Sequence, residues 1–353
     1  MTAVDPALAG CPVPVTESEK ILLGHGSGGQ LSAELLRDVV LPGLGGAAGE
    51  GVPEDGAVVP VGGIDLVIST DSFVVSPLFF PGGDIGSLAV HGTVNDLAMM
   101  GADPVALAVA YIIEEGFPIT DLRRVTTSVG AAAAAAGVPV VTGDTKVVGR
   151  GAADGLFVTT TGVGRRLPGA RVSAAFARPG DVVLLSGPIG AHGTTILSAR
   201  EALGFEAEIV SDTCPLHRLV ATMVAEAGPA IHVMRDPTRG GVASALNELA
   251  AASRVGIEID EAAVPVPAPV AAACELLGLD PLHVANEGCL VAVVAPGSAE
   301  ALLAAMRSAP DGRCAVRLGE VVGEHPGRVV MNTLMGGRRV VDMLVGEQLP
   351  RIC

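Results

Sequence analysis

Three aspartates in the first third of the chain have the residue type and surroundings of metal ligands. Asp71 follows the apolar run 66–70, which predicts a buried strand, and Asp84 precedes a predicted helix that reaches about residue 100. Asp96 lies on that helix, beside Asn95 and among apolar and small residues, where an unpaired polar group is costly. Carboxylates at such positions suit a hard cation. We therefore predict a cation site here, with a helix cap and a surface pair as the alternative interpretation.

Two glycine-rich segments could bind phosphate through backbone amides. Residues 24–30 precede a predicted helix, although a flexible linker explains this composition equally well. Residues 235–241, Arg-Asp-Pro-Thr-Arg-Gly-Gly, connect the predicted strand 231–234 to the predicted helix 242–252. The free amides and the dipole of a helix N-terminus act together on an anion, so the second segment is the better phosphate site. A capped turn is the alternative explanation for Asp236.

Two further motifs place ionisable groups next to predicted strands. The strand 138–141 is predicted to end in Gly143-Asp144-Thr145-Lys146, which puts an acid and a base where α/β proteins place their chemistry. Asn286-Glu287-Gly288 comes just before the predicted strand 290–294. A capped turn would again explain Glu287 without any chemistry.

Cys353 is the last residue of the sequence and follows a segment, 344–349, that we interpret as an arm. Eight residue steps of extended chain from Val345 to Cys353 would reach about 26 Å. A thiol on such an arm could carry a group from one site to another, and the alternative is a frayed terminus. An ordinary cysteine thiol has a pKa near 8.5, so the exposed tail should be a slow nucleophile at neutral pH.

Composition limits the class of protein. The chain has 353 residues, which predicts two domains. Its 38 acidic and 22 basic residues give a formal net charge of −16, which argues against a nucleic-acid partner. The amino-terminal residues lack the pattern of a secretory signal, and no apolar run predicts a membrane span. Six scattered cysteines indicate neither a disulfide framework nor a zinc site, so we expect a cytoplasmic protein.

The pattern of elements predicts an α/β fold with mixed sheets. We divide the chain into an N-terminal segment (1–45), an N-terminal α/β domain (46–169), a C-terminal α/β domain (170–343) and a flexible tail (344–353). The predicted strands 66–70, 105–113 and 156–164 are apolar on both faces, as if covered on both sides. This predicts a homodimer formed by the N-terminal domains. The P-loop, the metalloprotease box and the nucleophile elbow are all absent from the sequence.

Taken together, the motifs resemble those of the HypE family of nickel–iron hydrogenase maturation factors, from about residue 20 to residue 353. Most are shared with a wider ATP-binding superfamily that includes aminoimidazole ribonucleotide synthetase, selenophosphate synthetase and thiamine-monophosphate kinase. The Pro-Arg-Ile-Cys end resembles HypE specifically. The segments that carry the resemblance are Gly26-Ser27-Gly28-Gly29, Ser69-Thr70-Asp71-Ser72, Asn95-Asp96, Gly143-Asp144-Thr145-Lys146, Asp236-Pro237-Thr238-Arg239-Gly240-Gly241, Asn286-Glu287-Gly288 and Pro350-Arg351-Ile352-Cys353.

The resemblance implies a carbamoyl dehydratase with an aminoimidazole ribonucleotide synthetase-like fold. The carbamoyltransferase HypF would load a carbamoyl group on Cys353, and ATP would phosphorylate the carbamoyl oxygen. Loss of phosphate would leave a thiocyanate, and the cyano group would pass to iron on the HypC–HypD complex. The N-terminal domain would join a second subunit in a barrel, and the C-terminal domain would close over ATP. We expect carbamoylation of the thiol to drive the tail from an exposed to an inserted state, since it leaves the sulfur uncharged.

The resemblance also assigns roles to residues. Asp71, Asp84 and Asp96 would hold Mg²⁺, and Cys353, Glu287 and Lys146 would carry the chemistry, with Glu287 as the proton acceptor. Residues assigned to ATP binding are Gly26, Ser27, Gly28, Gly29, Asn95, Asp144, Asp236, Thr238, Arg239, Gly240 and Gly241. Cys289 stands where the family pattern leads us to expect lysine.

Two other functions are compatible with these residues. One is a selenophosphate synthetase-like enzyme or a small-molecule kinase of the same superfamily. The other is a non-catalytic carrier whose tail presents a group made elsewhere. The acids and Lys146 favour catalysis, because a carrier needs none of them.

Overall fold

Two mixed β-sheets organise the computed structural model, which describes residues 20–26, 28–44, 52–201, 203, 209–345 and 351–353. The first sheet has the strand order β1-β2-β7-β5-β6, in which only β5 and β6 pair in parallel. The strands are β1 (Ala57–Val61), β2 (Ile64–Phe73), β3 (Phe79–Phe80), β4 (Gly83–Asp84), β5 (Ala102–Glu114), β6 (Val140–Val148) and β7 (Leu156–Arg166). Strands β3 and β4 form a separate small hairpin.

The second sheet has the order β14-β13-β10-β12-β8-β11-β9, with β10 and β13 as its parallel pair. Its strands are β8 (Val182–Leu185), β9 (Ile231–Arg235), β10 (Gly256–Asp260), β11 (Val291–Val294), β12 (Val316–Val322), β13 (Val329–Asn332) and β14 (Arg338–Val341). The two sheets lie on either side of the boundary that we predicted near residue 170. The structure thus has two α/β units with mixed sheets, which is the fold class that the sequence predicted.

The helices cover one face of the first sheet and both faces of the second. They are α1 (Gln30–Leu35), α2 (Leu41–Leu44), α3 (Ile85–Met99), α4 (Ile119–Ala136), α5 (Ala191–Arg200), α6 (His217–Ala227), α7 (Gly241–Ser253), α8 (Ala268–Leu277) and α9 (Ala299–Ser308). A π-helical turn, Leu36–Val40, joins α1 to α2. Within the described ranges, no helix is long and apolar enough to cross a bilayer.

Alternation along the strands explains this layering. On β8, Val182 and Leu184 pack with α6 and α9 on one face, while Val183 and Leu185 pack with α7 on the other. Both faces are buried, so the strand is apolar throughout. In the first sheet, α3 packs against β2, β5 and β7, and among the described residues the opposite face, here called the open face, is exposed along β2. Exposed apolar side chains on this open face include Ile68 and Ile112, which alternate along β2 and β5 with buried residues.

Two predicted elements differ in the structure. The motif 143–146 does not follow a strand: it lies inside β6, an edge strand that extends to Val148. Local sequence cannot distinguish a strand that ends from one that continues with polar residues at an exposed edge. The tail was predicted to be a flexible arm, yet its last three residues are bound to the rest of the protein. Ile352 is 6% exposed and belongs to a hydrophobic core to which both units contribute. Residues 346–350 lie outside the described residues.

Candidate active site

An acidic cluster, defined as Asp55, Asp96 and Asp236, lies between the two units. One ligand atom from each lies within 4.8 Å of the others. Asp96 is on α3, Asp236 directly follows β9, and Asp55 precedes β1. The Ser69 hydroxyl donates to Asp96 Oδ2 at 2.7 Å. Three distant parts of the chain therefore bring three carboxylates to one point.

The electrostatics of this cluster favour a cation. Burial and the neighbouring carboxylates raise the pKa of Asp96 and Asp55 well above the ordinary range, and Asp55 gains partial relief from Arg235. Burial raises the pKa of Asp236 to about 6, although Arg235 acts in the opposite direction. Oxygen ligands from carboxylates are those that Mg²⁺ and other hard divalent cations prefer. The residues present thus fit a bound Mg²⁺.

Arg235 supplies part of the compensating charge. Its Nη1 lies 3.1 Å from Asp55 Oδ1, and its Nη2 donates to Glu248 Oε2 at 2.8 Å. Asp71, on β2, lies near the cluster, and its pKa is raised by burial and lowered in part by Arg239. The structure therefore places Asp71 and Asp96, two of the three predicted metal ligands, in one neighbourhood.

Asp84 lies apart from the acidic cluster. Its Oδ1 accepts hydrogen bonds from the amides of Gly86 and Ser87, at 2.8 and 3.0 Å, and so caps α3. Ser87 Oγ accepts the Asp84 amide in return, which completes a capping box. The alternative interpretation of Asp84 as a helix cap agrees with this geometry, and the carboxylate is occupied by that role.

Arg239 connects the two glycine-rich segments. Its Nη1 donates to the carbonyl oxygen of Gly26 at 3.3 Å. Gly28 packs so closely on Arg239 that an added Cβ would lie 2.6 Å from Arg239 Cβ. Ser27 lies outside the described residues. Gly26 and Gly28 therefore lie against the predicted phosphate segment, as a cover over a phosphate site requires.

The N-terminus of α7 opens toward the same region. Gly240 and Gly241 adopt left-handed conformations, and no side chain caps the helix. Its first-turn amides can therefore serve an anion. A cavity of about 1030 Å³ adjoins this helix. Among its lining residues are Gly28, Gly29, Asp236, Thr238, Arg239, Leu36, Pro42, Val52 and Met343. It is large enough for a nucleotide.

The tail enters this region from the N-terminal unit. The Val74 amide donates to the Cys353 carbonyl oxygen at 3.0 Å, and the Ser76 amide donates to that of Arg351 at 3.2 Å. Arg351 also pairs with Asp154. Burial raises the pKa of the Cys353 thiol to about 12, which Arg239 partly opposes. The unmodified thiol is thus uncharged and already inserted, whereas we expected insertion to follow carbamoylation.

Glu287 lies in the same neighbourhood and is 3% exposed. Burial is the main cause that raises the pKa of Glu287 well above the ordinary range, and the charge of Asp236 adds to it. The charge of Glu287 in turn raises the pKa of the Cys353 thiol. The predicted acid–base group and the predicted carrier thiol are therefore brought together. Cys289, the departure from the family pattern, is 1% exposed, and burial raises its pKa strongly.

The Asn95 side chain makes hydrogen bonds within the protein. Its Nδ2 donates to the Cys214 carbonyl oxygen at 3.0 Å, and its Oδ1 accepts the Leu216 amide at 2.7 Å. A longer contact, 3.4 Å, reaches the Glu287 carbonyl oxygen. This side chain supports the Glu287 turn, and its predicted contact with nucleotide remains a prediction.

Asp144 and Lys146 face solvent on β6. Lys146 Nζ lies 2.8 Å from Asp144 Oδ2, and the two side chains are 69% and 61% exposed, with Lys146 the more exposed. The hydrogen bond from Lys146 lowers the pKa of Asp144. The fold of one chain pairs these residues with each other and does not bury them with the acidic cluster.

Several residues of this region escaped sequence analysis. Asp55 stands at the end of the stretch 42–56, whose glycine and proline content is typical of a loop. Arg235 belonged to a recognised motif, but its partners are distant in sequence. His192 and Asp212 have no motif around them. Of these four residues, only Asp55 could have been noticed in the sequence, because Glu54-Asp55 is an acidic pair next to an apolar strand.

Comparison with known proteins identifies the class first. Models of the family described as AIR synthase related protein match residues 53–166 (N-terminal domain) and 178–332 (C-terminal domain). A carbamoyl dehydratase HypE from Cupriavidus necator is 55% identical over 337 residues, which are 96% of each chain. The chain belongs to the HypE family of carbamoyl dehydratases, which confirms the predicted family, fold class and enzyme class.

Solved structures of similar proteins agree with this family assignment. A HypE–HypF complex is 47% identical, has a TM-score of 0.83 and covers 90% of this chain and 100% of that chain. HypE in complex with ATP is 48% identical, with a TM-score of 0.80 and coverage of 95% and 100%. These likenesses extend over both units and the cleft between them.

Proposed function

We propose that this protein converts a carbamoyl group on the Cys353 sulfur into a thiocyanate, with consumption of ATP, for the cyanide ligands of a nickel–iron hydrogenase. One observation carries the proposal: the Cys353 thiol is near enough to Arg239, Glu287 and Asp236 to interact with their charges. The relative solved with ATP supports nucleotide use. The relative solved with HypF supports that protein as the partner that loads the thiol.

The chemistry requires removal of one water from the amide. The carbonyl oxygen of the S-carbamoyl group attacks the terminal phosphorus of ATP, and the bond to ADP breaks. One N–H proton leaves as the C=N bond forms, and Glu287 accepts it. The C–O bond then breaks and phosphate departs with the second proton, which leaves a C≡N group on sulfur. An amide oxygen is a poor leaving group, and phosphorylation makes it a good one.

The residues of this chain suit those steps. Burial makes the ionised form of Glu287 a stronger base, and the charge of Arg239 favours that ionised form, so Glu287 is suited to accept an amide proton. Arg239 and the amides at the N-terminus of α7 would bind phosphate oxygens. Asp55, Asp96 and Asp236 would hold Mg²⁺, with Asp71 nearby. A bound Mg²⁺ would neutralise developing charge on the phosphoryl group.

The remaining assignments complete the proposal. HypF would deliver the carbamoyl group, the HypC–HypD complex would accept the cyanide, and the protein would act in the cytoplasm. The uncharged thiol of the inserted tail is a poor nucleophile, so the tail must leave the cleft to be loaded. Lys146 would act only if a second subunit brought β6 to this cleft, because within one chain it pairs with Asp144.

The test follows the mass of the C-terminal peptide. Carbamoylated protein is incubated with ATP and Mg²⁺, digested and analysed by mass spectrometry. The expected change is loss of one water from the peptide that contains Cys353, together with release of ADP and phosphate. Cys353→Ala should form no thiocyanate while still binding ATP. A phosphorylated small molecule without this mass change would instead favour a kinase, and an unchanged mass with no ATP consumption would favour a carrier.

A further inference from the structure

Helix α5 lies between the bound tail and the turn that carries Glu287. At its N-terminal end, the Gly190 amide donates to Asn286 Oδ1 at 2.7 Å. The Gly193 amide donates to the Ala285 carbonyl oxygen at 3.1 Å. The start of the helix is therefore hydrogen-bonded directly to the segment that precedes Glu287.

Asp212 strengthens this junction. Its carboxylate accepts the Glu287 amide at 3.2 Å and the Gly288 amide at 3.0 Å. The backbone amide of His192, in the first turn of α5, also donates to it. An added Cβ at Gly288 would lie 1.8 Å from the Asp212 carbonyl oxygen, so the close approach requires glycine. One buried carboxylate thus fixes both the helix and the Glu287 turn.

The same helix holds the tail through two side chains. His192 Nε2 donates to the Ile352 carbonyl oxygen at 2.6 Å. A carbonyl can only accept, so Nε2 carries the proton, and Nδ1 accepts from the Ser211 hydroxyl at 2.7 Å. Arg200, at the end of the helix, donates to the Arg351 carbonyl oxygen and to that of Ser76, both at 2.8 Å.

These contacts orient the tail by its backbone. Each of the last three carbonyl oxygens has a donor: Arg200 and the Ser76 amide for residue 351, His192 for residue 352, and the Val74 amide for residue 353. The donors come both from α5 and from the segment after β2. Three consecutive carbonyls held in this way fix the direction of the chain that ends at the sulfur.

We propose that α5 is a positioning element for the reaction, in which His192 and Arg200 hold the tail while the helix N-terminus holds the Glu287 turn. The sulfur and the carboxyl group are then aligned through one rigid helix. This inference rests on the proposed function for its catalytic consequence, but the binding of the tail can be measured without any reaction.

The test uses His192→Phe, which keeps the aromatic ring against Phe80 but removes both hydrogen bonds of the imidazole. The rate of Cys353 alkylation by iodoacetamide is measured by mass spectrometry, with the exposed Cys314 as internal reference. We expect alkylation to rise about tenfold, the factor that corresponds to loss of one buried hydrogen bond. Single-turnover dehydration of the carbamoylated tail should fall by a similar factor, with an unchanged KM for ATP.

Matched variants separate positioning from general damage. His283→Phe removes an imidazole bond of the same kind, from Nε2 to the Asp342 carbonyl oxygen, and should leave both rates at wild-type values. His192→Gln retains an amide donor and should restore part of the loss. Arg200→Gln tests the second contact and replaces His192→Phe if that variant does not fold.

The outcomes are distinct. Faster alkylation with slower dehydration and an unchanged KM for ATP supports the inference. Wild-type rates for both measurements in His192→Phe and Arg200→Gln overturn it, as does slower dehydration without faster alkylation. If the wild-type protein makes no thiocyanate, the proposed function fails, and the alkylation rates alone decide whether α5 holds the tail.

Discussion

The acidic cluster and the Asp144–Lys146 pair contain similar groups in opposite environments. Asp236 is buried and Asp96 is half-buried, and both lie among other carboxylates, so their pKa values are raised. Asp144 lies in solvent beside its own counter-ion, which lowers its pKa. Asp96, Asp236, Asp144 and Lys146 were all predicted to be functional from sequence, whereas Asp55 was not. The difference shows that the surroundings, and not the motif, determine whether a carboxylate needs an external cation.

The largest expected effect comes from Asp96→Asn. Loss of one of three clustered carboxylates should lower Mg²⁺-dependent ATP turnover by at least about 100-fold, since even an outer-shell partner can cost that much. The same substitution removes like-charge repulsion, so the metal-free protein should melt at a higher temperature than wild type. Calorimetry with and without Mg²⁺–ATP measures both. Asp65→Asn, at an exposed acid of β2, is the control, and undiminished turnover in Asp96→Asn would remove the metal assignment.

The second prediction concerns the buried side chain of His192 and the loss of protein stability at acid pH. Burial lowers the pKa of His192 from 6.5 to about 4. As the pH falls, His192 is protonated first in the unfolded state. The contribution of the neutral, buried His192 to the free energy of unfolding is therefore complete above about pH 6.5 and is lost toward pH 4. The shift is worth on the order of 3 kcal/mol. Denaturant titrations of wild type and His192→Gln should converge in free energy of unfolding over this window; parallel curves would contradict the assignment.

The open face of the first sheet allows a third prediction. Its exposed apolar side chains lead us to expect a homodimer through this face, as the sequence pattern predicted. Ile112→Glu should convert the dimer to a monomer of 35.2 kDa in light scattering. Ala131→Glu places the same charge on an exposed position of α4 and should leave the dimer intact. A wild-type monomer at micromolar concentration would exclude this assembly.

The last prediction asks whether the exposed pair becomes functional in a dimer. Lys146→Ala and Cys353→Ala should each be inactive in thiocyanate formation. If Lys146 serves the cleft of the neighbouring subunit, an equal mixture of the two variants regains about a quarter of wild-type activity, because half the dimers are mixed and each has one complete site. Single-turnover mass spectrometry of re-associated dimers measures this. No recovery would mean that Lys146 does not act across the interface.

Much of the fold could be predicted because its signals are local. Strand β2 and helix α3 follow from apolar runs, and the cap of α3 follows from Asp84 and Ser87, which are three residues apart. The strand–turn–helix arrangement at Gly240-Gly241 was also predicted. Strand β6 was misjudged at its end, because an edge strand tolerates polar residues that would end a buried one.

The candidate site was predicted less completely, for a different reason. Asp71, Asp96, Asp236, Arg239, Glu287 and Cys353 were chosen from motifs, and the structure brings them near one another. Asp55, Arg235, His192 and Asp212 acquire their significance only from partners far away in the chain. Ser69, for example, contacts Asp96 across 27 residues, and His192 contacts Ile352 across 160.

The sequence by itself determined the family, the two α/β units and the residue types available for chemistry, because neighbouring residues set local propensity and motif. Only the tertiary structure decided which carboxylates form one cluster, that Lys146 faces solvent and that the tail is inserted. Burial and charge interactions depend on distances between remote segments. Those distances exist only after the two sheets and α5 have packed.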